Sequence, residues 1–213
     1  MAGDGPECWC AGGDDKWNRG EYGKFDEIVT LQQIVRKMNK TKLRKALETM
    51  PQKELAQLVL DIYDAYPDVK ENLDARFAED KNAVLNDALE KYKAIIQNEY
   101  FPVKGEEKCR ISVCKKAISD FKKLDPAPTD VADLMVFFVE QGCQFTNQYG
   151  DMWEAFYTSF ENNYRAALDY VFKNHLEDVF KDRFMECLNL TADCGWGFND
   201  TLGDFYYEYY QDE

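Results

Sequence analysis

Histidine is almost missing from this chain: His175 is the only one in 213 residues. A carboxylate-bridged di-iron bundle needs two Glu-x-x-His pairs and is excluded. A Ser-His-Asp or Cys-His arrangement would have to use His175 as its base, and no nucleophile motif accompanies it. Beside Asn174 and near a helix end, the imidazole is explained more simply by free carbonyls and the helix dipole. Long apolar runs are missing too. The longest, Leu134 to Val139, is bracketed by Asp133 and Glu140, far short of the roughly 20 apolar residues a membrane span requires. Period-two alternation with turn signals is absent, so no sheet is expected. There is no Walker loop, dinucleotide fingerprint or EF-hand loop.

The seven cysteines are odd in number and irregular in spacing, which does not make a disulfide framework. Cys8-x-Cys10, Cys109-x4-Cys114 and Cys187-x6-Cys194 lack the matched halves of a zinc finger, so no metal and no cofactor is expected. The first residues carry neither a basic nor an apolar region, and with free thiols this points to the cytoplasm. Without export, the Asn-x-Ser/Thr triplets at Asn39, Asn189 and Asn199 carry no weight.

Positive charge is scarce where it would matter most. From Thr129 to Glu213 there are seventeen Asp and Glu against only Arg165, Lys173, Lys181 and Arg183, whereas residues 41–128 hold sixteen of each sign. The net charge is −14 and the pI near 4.6. Nucleic-acid binding relies on Lys and Arg against phosphate, and anionic lipid repels such a surface. Neither a nucleic-acid nor a membrane partner is expected; a charged partner should be basic. The same last 85 residues hold twenty of the thirty-one aromatic side chains.

Apolar periodicity is helical throughout. Residues 1–40 read as a Gly-rich arm, with Trp9 and Trp17, followed by an amphipathic helix from Phe25 to about Asn39. Residues 41–213 read as a single helical domain. Thr41 and Thr49 are predicted to cap its first helices, and Pro67 to break the chain after Tyr66. A short helix carries Val69, Leu73 and Phe77, and a longer one runs from about Lys81 to Tyr100. The next presents a basic face from Lys108 to Lys123. Thr129 is predicted to cap a helix apolar on nearly all sides, which belongs in the middle of a bundle. A long helix from Trp153, another around Phe180, and a last one capped by Asn199 or Asp200 complete an all-α chain. It is expected to form an irregular multi-helix bundle or stack of helical hairpins, with about nine to ten helices.

Four segments carry a resemblance. They are Cys114-Lys-Lys-Ala-Ile-Ser-Asp-Phe-Lys-Lys-Leu, then Ala132-Asp-Leu-Met-Val-Phe-Phe-Val-Glu-Gln-Gly with Phe145-Thr-Asn-Gln-Tyr-Gly-Asp, and Gly195-Trp-Gly-Phe-Asn-Asp-Thr-Leu-Gly-Asp-Phe-Tyr-Tyr-Glu-Tyr. Over about Thr41 to Tyr210 the chain resembles a bacterial family known only as domain of unknown function six-one-five-five. The resemblance implies an all-helical cytoplasmic protein and supplies no catalytic residues.

Polar groups set among aromatics are the candidates for a site: Asn147, Asp151, Trp196 and Asp200. They either fix the turns at Gly150 and Gly195 or line a small pocket. Asp204, Tyr207 and Glu208 on the last helix join Asp200 as a docking surface, since a ring beside carboxylates suits a basic, partly apolar partner. The leading reading is a non-enzymatic interaction module that engages a basic protein, or the Lys108 to Lys123 face of another copy. The alternative is a small-molecule site or enzyme with a pocket near Asn147 and Asp200.

Overall fold

The computed structural model describes residues 38–150, 152–195 and 197–210. Among them are nine helices and no strand, which is the expected all-α class. The chain forms two compact units, residues 1–58 and 59–213. The Gly-rich arm and the helix predicted from Phe25 lie outside the described residues, save Met38 and Asn39, which are not helical.

In the first unit, α1 (Lys40–Glu48) starts two residues earlier than predicted. Asn39, not Thr41, is its cap, the side-chain oxygen accepting from the Lys42 N–H at 2.9 Å and satisfying one of the orphan donors of the first turn. Thr49 closes this helix instead of opening the next, its hydroxyl donating to the Ala46 carbonyl at 2.9 Å. No residue of α1 is buried. The second helix, α2 (Gln52–Ala65), contains the boundary between the units. It stops where Pro67 forces Tyr66 into extended geometry, and Pro67 itself opens α3 (Pro67–Phe77).

The second unit continues with α4 (Lys81–Tyr100), α5 (Ile111–Lys122), α6 (Pro128–Tyr149), α7 (Glu154–Lys173), α8 (Glu177–Leu190) and α9 (Phe198–Tyr209). Helix α6 is central and packs against α4, α5, α7 and α8. Its buried positions, among them Val131, Leu134, Val136, Phe138, Val139, Cys143 and Phe145, point to all sides, as its sequence requires. It begins at Pro128, whose fixed φ suits the first helical position, so Thr129 is not needed as a cap.

The aromatic side chains of the C-terminal half go mainly inward. Phe156, Tyr157, Phe160, Tyr164, Phe180, Phe184, Phe198 and Tyr206 are all buried. Tyr100 meets Phe145 and Phe160 edge-on, with ring centroids 5.8 Å away in both cases, and Phe160 lies 5.2 Å from Phe138 and 4.6 Å from Phe156. Such tilted and edge-on contacts add to area burial. Phe160 fits because Gly142 of α6 has no side chain: a Cβ there would lie 2.0 Å from Cε1 of the ring.

His175 occupies the left-handed region (φ +57°) just past α7. Its N–H donates to the Phe172 carbonyl at 3.2 Å and that of Leu176 to Val171 at 3.1 Å, the paired bonds of a Schellman ending. The lone histidine is an exposed helix-stop residue.

Gly142→Ala is expected to cost about 3 kcal/mol, since overpacking a filled core forces rotamers and backbone to shift. Urea unfolding would show a lower midpoint at unchanged slope. Phe160→Leu in the same chain should restore part of the loss.

Candidate functional site

Two ionic clusters tie the helices of the second unit. Asp133 of α6 accepts from Arg183 of α8 at 2.5 Å and pairs with Lys93 of α4 at 2.7 Å. Arg183 also forks onto both oxygens of Glu140, at 2.6 and 2.7 Å. Burial alone would raise the Asp133 carboxyl, but the hydrogen bonds from Lys93 and Arg183 outweigh it and hold it below the usual carboxylate range. At the end of α4, Glu99 is 3% exposed. It accepts from the Arg110 side chain at 2.7 and 2.9 Å and from its backbone N–H at 3.1 Å. The Arg110 hydrogen bond depresses the Glu99 carboxyl against the opposing effect of burial. Asp133 thereby joins three helices, α4, α6 and α8.

Two buried hydroxyls fix the turns on either side of α7 and α8. Thr146 donates to the Gly150 carbonyl at 3.2 Å and lies 3.1 Å from the Tyr157 hydroxyl, which accepts from the Met152 N–H at 3.0 Å. Thr191 donates to the Cys187 carbonyl at 2.9 Å. Asn199 then donates to the Leu188 carbonyl at 2.8 Å and to the Thr191 hydroxyl at 2.9 Å. Asn199 is thus a tether between α9 and the end of α8. The N-cap of α9 is Gly197 at φ +73°, not Asn199 or Asp200.

Of the sequence candidates, Asp151 and Trp196 lie outside the described residues. Asn147 is exposed and lines an open hollow of about 360 Å³ with Gln97, Phe101, Gln144 and Gln148, which includes no residue of α9. Asp200, Asp204, Tyr207 and Glu208 come together. Spaced at four, three and one residues, they share the outward face of α9, while Phe198, Leu202 and Tyr206 are buried on the other. All four are exposed, Tyr207 by 54%. Glu208 pairs with Arg165 at 3.2 Å; Asp200 and Asp204 have no cation partner among the described residues. Between them Gly203 is open, with nothing within 4 Å of where a Cβ would stand.

The expected basic face of α5 is less basic than its sequence. Lys116 and Lys123 both bond Asp120, and Lys122 lies 4.9 Å from the centre of the Tyr170 ring. No group of three or more metal-binding side chains comes together among the described residues, and none of their helices is long and apolar enough to cross a membrane.

The sequence profile of a family of unknown function, DUF6155, matches residues 38–209. The chain belongs to that family. No curated protein and no solved structure matches it. The family match takes in every helix from α1 to α9, so the face just described lies inside the shared sequence.

Glu99 and Asp133 have folded-state pKa values below their unfolded ones. Each therefore contributes stability fully above about pH 5, and that contribution is lost as pH falls toward the folded value. Glu99→Gln and Asp133→Asn are each expected to cost about 2 kcal/mol at neutral pH. In chemical denaturation the gap to the parent chain should shrink steadily as the pH is lowered from about 5 to about 3.

Proposed function

We propose that the chain is a non-enzymatic helical interaction module of the cytoplasm whose α9 face, Asp200, Asp204, Tyr207 and Glu208, receives a basic protein partner. The observation that carries this reading is the stripe itself. Two carboxylates without a cation partner among the described residues lie two turns and one turn before an exposed ring on a helix whose other side is anchored in the core. A Lys or Arg side chain gains both a carboxylate and a ring face there.

Gly203 supports the same reading. Glycine inside a helix costs about 1 kcal/mol relative to alanine, and nothing in the surrounding structure needs the missing Cβ. A partner backbone approaching closely between Asp200, Asp204 and Tyr207 would. The free thiols of Cys109, Cys114, Cys143, Cys187 and Cys194 support a reducing compartment. The small-molecule alternative has the amide-lined hollow beside Asn147 in its favour, but that hollow is open and lacks Asp200.

The test is capture of basic proteins from extract by the tagged full chain at low and high salt, beside Asp200→Lys/Asp204→Lys. Binding that is lost in high salt and in the double variant, with unchanged thermal unfolding, is the expected result. Binding indifferent to both would overturn it. Gly203→Ala should raise stability by about 1 kcal/mol while weakening the same capture.

A further inference from the structure

A second surface, away from α9, is built to be covered. Val59, Leu60 and Tyr63 of α2, Leu73 and Phe77 of α3, and Val84 of α4 line a cleft of about 670 Å³. Its apolar walls are strongly exposed: Phe77 by 82% and Leu60 by 55%. An adjoining hollow shares Asp74 and Val84 with this cleft and adds the acids Asp68, Glu71 and Asp87 and the lysines Lys70 and Lys91. Lys91 is tied to Glu71 at 2.8 Å, and Asp74 accepts from the Tyr63 hydroxyl at 2.8 Å. Asp87 has no ion-pair partner among the described residues, and Asp68 has only the longer-range attraction of Lys116. The cleft is thus apolar within and anionic along one rim.

Helix α1 has the complementary chemistry. Lys40, Lys42, Arg44 and Lys45 stand against the single acid Glu48, and none of the four has an anionic partner among the described residues. Leu43, Ala46, Leu47 and Met50 recur at steps of three and four, an apolar stripe, yet α1 buries nothing and Leu43 is 45% exposed. Such a short helix is marginal in water on its own. Apolar patches of this kind on a soluble protein mark interaction surfaces.

We infer that the cleft between α2, α3 and α4 receives α1 of a second copy of the chain. Leu43 and Leu47 enter against Leu60 and Phe77, and Lys42, Arg44 or Lys45 reach Asp68 and Asp87. Each copy offers one cleft and one α1, and their reciprocal exchange between two copies makes a closed two-fold dimer. It uses a surface distinct from the α9 face and does not depend on it.

Sedimentation equilibrium of the full chain tests this. The expected result is a dimer of the 24.8 kDa chain whose dissociation constant rises about tenfold or more between roughly 0.05 and 0.5 M NaCl. Lys42→Glu/Arg44→Glu/Lys45→Glu should be a monomer, and so should Asp68→Lys/Asp87→Lys. Because α1 buries no residue, the first variant keeps the fold, which circular dichroism can verify for both. Mixing the two reversed chains matches acid to base in both contacts and should restore a heterodimer. A monomer at every concentration, a dimer that survives either reversal, or folded reversed chains that fail to pair when mixed would each overturn the inference.

Discussion

The close approach of α6 and α7 at Gly142 is the constraint on which the second unit depends. Phe160 occupies the space that any other residue would fill, and from there it touches Tyr100, Phe138 and Phe156. Through those rings one missing methyl group connects α4, α6 and α7. Interiors are packed like crystals and transmit strain instead of absorbing it, so the positions of helices further out follow from this contact.

The polar clusters hold what the rings assemble. Arg183 and Lys93 converge on Asp133, while Arg165 lies 4.9 Å from the Phe205 ring centre and Lys181 lies 5.6 Å from that of Tyr210. Three of the four cations in the last 85 residues are thereby engaged within the fold. Most of the described carboxylates of that half are exposed, and the exposed side of α9 is where they coincide with a ring.

Helix class and order were readable because apolar spacing follows burial, and α6, buried on all sides, had no polar stripe to mislead. The predicted bounds of α4 and the break at Tyr66 rested on strong local chemistry and hold. Caps were less legible: Thr41, Thr129 and Asn199 are all good cap residues, but Asn39, Pro128 and Gly197 already met the backbone's needs. At the turns the sequence pointed one residue away. Neighbours on a helix lie about 100° apart, so Thr146 and Asn199 face inward to tether the chain while Asn147 and Asp200 face water. Aromatic enrichment counts rings without saying which side they take, and most took the core. The cleft between α2, α3 and α4 left no local signal, since its walls look like ordinary core stripes until nothing described covers them.

Burial moves the thiols of Cys109 and Cys114 up to about 11 and about 12, so little thiolate forms near neutral pH. Alkylating reagents and oxidants therefore meet slow nucleophiles at both positions.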